Sequence, residues 1–241
     1  MAPPIIAVKR SGRDRPRLRW RIGRLLVYAV LAALILPILP ILAYRFVPPP
    51  ITPLMVIRRV EGAPIRQRFV PLDRISPALI RAVVASEDEK FCFHHGFDWE
   101  ALDAAWKDWR AGREPKGAST ITMQTAKNLF LWPGRSVLRK GIEAYLTVLI
   151  ELFWSKQRIM ETYLNIIEWG DGIYGAEMAA RAHFGKPAAA LTAREAALFA
   201  AVLPNPRRWS PEDATPYIAA RAAIIRERMP SVAVPGAAGC R

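Results

Sequence analysis

"SPALIRAVVASEDEKFCFHHGFDW", residues 76–99, decides how the chain is to be read. Ser76 and Pro77 form a helix start signal, a capping hydroxyl followed by proline at the first helical position. Ile80, Val83 and Val84 then mark one apolar stripe at i, i+3 and i+4 spacing, and the i+7 position on that stripe is Glu87. A carboxylate is thus aimed where a core should lie. Burying such a group is costly unless it is paired, so Glu87 is either satisfied by a partner or put to use.

Outward from this stretch the chain continues as helices. Asp98 caps a segment running through Trp99, Leu102, Ala105, Trp106 and Trp109 to a stop at Gly112. Ser136 caps "VLRKGIEAYLTVLIELFW", and Ser155 opens "KQRIMETYLNII". Thr192 and Glu195 form a capping box ahead of an alanine-rich segment. Strand-like alternation is confined to residues 55–72, "MVIRRVEG" and "IRQRFVPL", which predict a small ribbon near the membrane. The fold class is mainly α.

The N-terminal fifth differs from the rest. Of the formal net charge of +14, residues 1–47 hold +8, with nine Lys or Arg against Asp14 alone. Leu25–Tyr44 is an uncharged run of 20 residues, long enough to cross a hydrocarbon layer of about 30 Å as a helix, with kinks expected at Pro37 and Pro40. The basic flank keeps residues 1–24 on the cytoplasmic side and sends the rest outward. A cleaved signal peptide is the competing reading. Against it, the run exceeds a usual signal core and no clear A-x-A site follows. "VPPPITP" (47–53) is a short stiff linker. Cys92 and Cys240 could pair in an oxidising compartment, but Cys240 sits in a tail of disordered character, so two free thiols are expected.

A second acid lies among bases. On the helix from Ser136, the side chains of Arg139, Lys140, Glu143 and Thr147 share one face, and Lys127 and Arg135 precede them. Taken alone, this is a solvated, salt-bridged face. Its neighbour "KGASTITMQTAKNLF" (116–130) changes the picture, because Ser119, Thr120, Thr122 and Gln124 beside Lys127 suit a phosphate or diphosphate. The GK[ST] ending of a nucleotide loop is missing, which argues against an NTPase.

"EDEKFCFHHGFD" (87–98), "GASTITMQTAKNLFL" (117–131), "RKGIE" (139–143), "SKQRIMETYLNIIEWGDGIYG" (155–175) and "AALFAAVLPNPRRWSP" (196–211) resemble, in order, the motifs of the peptidoglycan glycosyltransferases. The plan of basic tail, anchor and single domain is similar to that of the monofunctional biosynthetic transglycosylases. No S-x-x-K occurs, so no transpeptidase half is expected. The resemblance implies a lysozyme-like helical glycosyltransferase domain with a small membrane-proximal lobe, preceded by one transmembrane helix. The expected divisions are a tail (1–24), the transmembrane helix (25–47), a linker and membrane-proximal segment (48–72), the catalytic domain (73–227) and a C-terminal tail (228–241).

The resemblance also implies roles. Glu87 would be the base that takes the proton from the acceptor sugar's 4-hydroxyl, with Asp88 supporting the site. Glu143 would be the second catalytic carboxylate, near the diphosphate of lipid II. Lys127, Arg135, Arg139 and Lys140 would hold that diphosphate, and Ser119, Thr120 and Gln124 would line the cleft. No cofactor or resident metal is required, although room is left for a divalent cation (Mg2+ or Mn2+) at the diphosphate. Implied partners are lipid II, the growing glycan and the inner membrane, with cell-wall synthesis or division proteins left open. Cys92 stands where the family usually has an aromatic residue, Ala118 replaces a glycine and Met123 a glutamine; none of these removes a charge.

Duller explanations suit other residues. His94 and His95 are expected to serve the turn at Gly96, since no Cys/His set accompanies them. The tryptophan stripe of 99, 106 and 109 is either core or lipid contact. Asp171 and Glu177 are expected as surface or turn charges. Two other classes stay in view. A lytic enzyme would share a helical fold and an essential Glu, but its sugar leaving group needs no cation cluster. A charge-binding anchored protein would need neither acid, and outward topology with no aromatic–basic interleaving excludes nucleic acid.

Overall fold

The computed structural model describes residues 15–114, 117–134, 136–236 and 240. The chain divides into two compact units, Met1–Leu42 and Ala43–Arg241. In the first, α1 (Arg15–Ile35) stops where Leu36 and Pro37 turn, and α2 (Ile38–Tyr44) takes over. Pro37 breaks the helix because it lacks an N–H and its ring crowds the preceding turn. Pro40 does not, contrary to expectation. As third residue of α2 it lacks an N–H that would have had no helical partner anyway. Trp20–Tyr44 are 25 residues, with an 18-residue window of mean hydropathy 2.7 and apolar side chains turned outward, long and apolar enough to cross a membrane.

The second unit is built of helices, five of them at the starts the sequence signals. Ser76 accepts from the Ala78 N–H and opens α4 (Pro77–Glu87); Asp98 accepts from Ala101 and opens α5 (Trp99–Arg110). Thr120 opens α6 (Ile121–Phe130), Ser136 opens α7 (Val137–Phe153) and Ser155 opens α8 (Lys156–Ile166), each through its hydroxyl. After α9 (Ala176–Phe184), the capping box of Thr192 and Glu195 opens α10 (Ala193–Val202), and α11 (Pro216–Arg228) follows. Helices α4, α10 and α11 pack together, as do α6, α7 and α8. Leu79, Val83, Val84, Ile121, Ile150, Tyr163, Trp169 and Phe199 are buried in the core between them.

Several expectations are corrected. The first half of the foreseen ribbon is helical, α3 (Pro53–Val60), because Thr52 caps it, Pro53 starts it and Met55 is buried at its inner face. Among the described residues the sheet is three short strands, β1 (Arg66–Gln67), β2 (Glu168–Gly170) and β3 (Ile173–Tyr174), in the order β1-β3-β2. The β2–β3 turn needs a glycine. At Gly172, with φ +68°, a Cβ would lie 2.2 Å from the Pro64 carbonyl oxygen.

Cys92 and Cys240 are not free thiols but a disulfide. Past α11 the chain folds back: Met229 is buried, and the Ala233 carbonyl oxygen lies 3.4 Å from Cys92 Sγ, which brings the tail to its partner. Glu177 is not a surface charge either; buried, it accepts from Arg181 and from the Ala188 N–H. Asp171 is exposed and pairs with Arg58 at 2.6 Å. The tryptophan stripe is not core. Trp99, Trp106 and Trp109 are all more than half exposed, and Trp106 stacks on Trp109.

Candidate active site

Helix α4 ends at Glu87, and its C-cap Asp88 turns the chain toward the start of α6. The Asp88 carboxylate is buried and used from both sides. One oxygen accepts from the Ile121 N–H (2.9 Å), the first helical donor of α6, and the other lies 2.8 Å from His94 Nε2. An anion at a helix N-terminus satisfies an orphan donor and complements the helix dipole. Asp88 therefore fastens the end of one helix to the start of the next, and Glu87 is carried with it.

Glycine at 96 allows this junction. Its φ of +88° is left-handed, and a Cβ there would lie 2.8 Å from Thr147 Cγ2 and 3.0 Å from Glu151 Cγ, both on α7. The Thr120 hydroxyl donates to the Gly96 carbonyl (2.6 Å) while capping α6. Behind them Lys156 pairs with Glu151 at 2.7 Å and lies over the Phe91 ring, which locks the loop after Asp88 onto α7 and α8.

Glu87 itself is half-buried, and its Oε2 accepts from Gln124 Nε2 at 2.8 Å. Burial raises its pKa above the ordinary carboxyl range, against the pull of the Gln124 hydrogen bond and the positive charges of Arg221 and Lys127. With Asp88, Glu89, Asp98, Ser119, Thr120 and others it borders a cavity of about 240 Å³.

The second acid is deeper. Glu143 is buried on α7, where Arg139 Nη1 donates to Oε2 at 2.7 Å and Lys140 Nζ to Oε1. Arg139 is buried with it, so this is not a solvated charge ladder. Lys140 is half-exposed and reaches Ser119 Oγ at 3.3 Å, joining the hydroxyl loop to the cationic face. Lys127, on α6, feels the charges of both Glu143 and Glu87, and burial lowers its pKa. The structure thus brings together Glu87, Asp88, Gln124, Ser119, Lys140, Arg139, Glu143 and Lys127. Thr120 borders the cavity, but its hydroxyl is engaged internally. Arg135 lies outside the described residues.

Three contributors escape a sequence reading. His94 faces Asp88 rather than merely a turn. Tyr163, whose spacing on α8 matches a core stripe, donates its hydroxyl to Gln124 Oε1 at 3.0 Å; a buried tyrosine needs a partner for that proton, which was the available signal. Arg221 comes from α11, beyond the resembling motifs, and its Nε is buried with no partner among the described residues. Among the described residues no three His, Cys, Asp or Glu side chains are arranged to hold a metal ion by themselves, and both Glu143 oxygens are held by cations.

Comparison with known proteins gives a consistent result. Residues 55–230 match the family model described as Transglycosylase. The chain is 62% identical to a biosynthetic peptidoglycan transglycosylase of Rhodospirillum centenum, over 88% of this chain and 93% of that protein. It is 52% identical to one of Caulobacter vibrioides, over 91% and 96% of the respective chains. A Pseudomonas fluorescens protein of the same description is 52% identical over 80% of this chain.

Proposed function

This chain belongs to the transglycosylase family and is a peptidoglycan glycosyltransferase, and from that premise we propose that it polymerises lipid II with Glu87 as general base. The acceptor's 4-hydroxyl oxygen attacks the donor's anomeric carbon as the bond from that carbon to the diphosphate oxygen breaks. The electron pair leaves with undecaprenyl diphosphate, and the hydroxyl proton goes to Glu87. One displacement turns an α-linked donor into a β-1,4 glycan with inversion, so no covalent glycosyl-enzyme is needed.

The observation that carries this reading is the pairing of two unlike environments, linked through Ser119 and Lys127. Glu87 is half-buried with an upward-shifted pKa, the direction that tunes a carboxylate toward work as a base. Across from it, Lys127, Arg139 and Lys140 converge around Glu143. Such preorganised cations stabilise the charge that builds on a departing diphosphate. Glu143 holds Arg139 and Lys140 in place and moderates their charge. Ser119 and Gln124 line the cleft, and Asp88 and Thr120 fix its walls. A lytic enzyme, whose leaving group is a sugar, has no need of these cations. We place the catalytic unit in the periplasm on a single-pass inner-membrane anchor. The basic N-terminal flank supports that orientation, and so does the disulfide, which belongs to an oxidising compartment. The exposed tryptophans of α5 suit contact with the bilayer surface that delivers the lipid substrate.

Labelled lipid II incubated with the full-length protein tests the reading. The wild type is expected to give a ladder of glycans that muramidase digests, while Glu87→Gln and Glu143→Gln fold but lose at least about a hundredfold in rate. Undiminished polymerisation by Glu87→Gln would remove it from the role of base. Degradation of finished glycan with lipid II left intact would favour the lytic alternative.

A further inference from the structure

We propose that Tyr163 is a positioning residue: its hydroxyl locks the side-chain amide of Gln124 with the N–H end toward Glu87. This rests on the reading of Glu87 as the base.

The chain of contacts runs in one direction. Tyr163 Oη donates to Gln124 Oε1 at 3.0 Å, and Gln124 Nε2 donates to Glu87 Oε2 at 2.8 Å. An amide nitrogen only donates, and an ionised carboxylate only accepts. With the amide turned round, its oxygen would face the carboxylate across the same gap with no proton between them. A turned amide would also offer its N–H to the phenol and leave the phenolic proton without the acceptor it has now.

What the lock controls is the response to protonation. Once Glu87 carries a proton, its own O–H can donate, and a freely turning amide would swing its oxygen round to accept. That reversal would stabilise the protonated acid and so weaken the base. Tyr163 holds the amide oxygen and prevents this, leaving Gln124 always to favour the ionised form. The lock is built to last. Tyr163 is 1% exposed on α8, and burial, with the charges of Glu87 and Asp88, holds its phenol protonated far above the ordinary range. The Gln124 hydrogen bond in turn opposes the burial that pushes the Glu87 pKa up.

Tyr163→Phe keeps the ring in the core and removes only the hydroxyl, and a thermal melt checks that the fold persists. In a pH profile of kcat/KM for lipid II polymerisation, the acid limb of Tyr163→Phe should move to higher pH. The resulting loss, about three- to tenfold on the acid side, should shrink toward alkaline pH. In a Gln124→Ala background the same substitution should move the limb no further. An acid limb that stays in place overturns the proposal, as does a loss uniform across pH or a shift that persists without Gln124. The two readings fail separately. If Glu87→Gln is inactive and Tyr163→Phe leaves the limb unmoved, only the lock is wrong. If Glu87→Gln polymerises normally, the base assignment falls and the lock with it.

Discussion

Glu87 is pulled two ways, upward by burial and downward by Gln124, Arg221 and Lys127, and burial wins. Lys127 is pushed the other way, since burial favours its neutral amine. A reaction needing Glu87 ionised and Lys127 charged is therefore squeezed from both sides. As pH falls through the raised carboxyl pKa the base is lost, and as pH rises through the lowered ammonium pKa the cation is lost. A profile of kcat/KM is expected to be bell-shaped and narrower than free Glu and Lys side chains would allow. Lys127→Arg should carry the alkaline limb upward, because a guanidinium keeps its proton throughout. At this scale the sequence was half legible. An acid on an apolar stripe announces itself through spacing, as Glu87 did. The partners that set its chemistry, Tyr163 and Arg221, come from helices far along the chain and look like core or surface until the packing is known.

Elements were more legible than partners, and the reason is local chemistry. Ser76, Asp98, Ser136, Ser155 and Thr192 each cap the helix they were expected to start, because a capping side chain acts on backbone within three residues. Residues 55–60 misled because their alternation competes with a Thr-Pro start, and helix formation wins once Met55 finds the core. The short strands β2 and β3 carry too few residues for periodicity to register. The junction between α4 and α6 depends on Gly96, and there a prediction can be made. Gly96→Ala meets a left-handed backbone and the side chains of Thr147 and Glu151, and should cost about 2 to 4 kcal/mol. In a domain of this size that lowers the melting temperature by several degrees, which calorimetry would read. Because the same loop carries His94 to Asp88, polymerisation should fall further than the lost stability explains.

For the molecule as a whole, the main feature hidden from the sequence is the closure of residue 92 on residue 240, which are 148 positions apart. Pairing is open in an oxidising compartment, but the composition of the tail points to free thiols, and only the fold-back past α11 brings the two together. Cross-linking so long a loop restricts the unfolded chain, by up to about 5 kcal/mol in the loop-entropy treatment and less where the native state relaxes. Cys240→Ser, or wild type kept in reductant, should melt at a clearly lower temperature, and reductant should have no further effect on the variant. Equal melting points for oxidised and reduced wild type would show that the staple carries no stability. The position of this bond also has a temporal meaning. Cys92 follows Glu87 by five residues, so the loop that frames the first acid is fastened by a segment made 148 residues later in synthesis. A nascent chain short of residue 240 already carries every side chain assigned to the chemistry, yet it lacks this fastening. The cross-link beside the first acid therefore cannot close until residue 240 has been made, long after every group it frames.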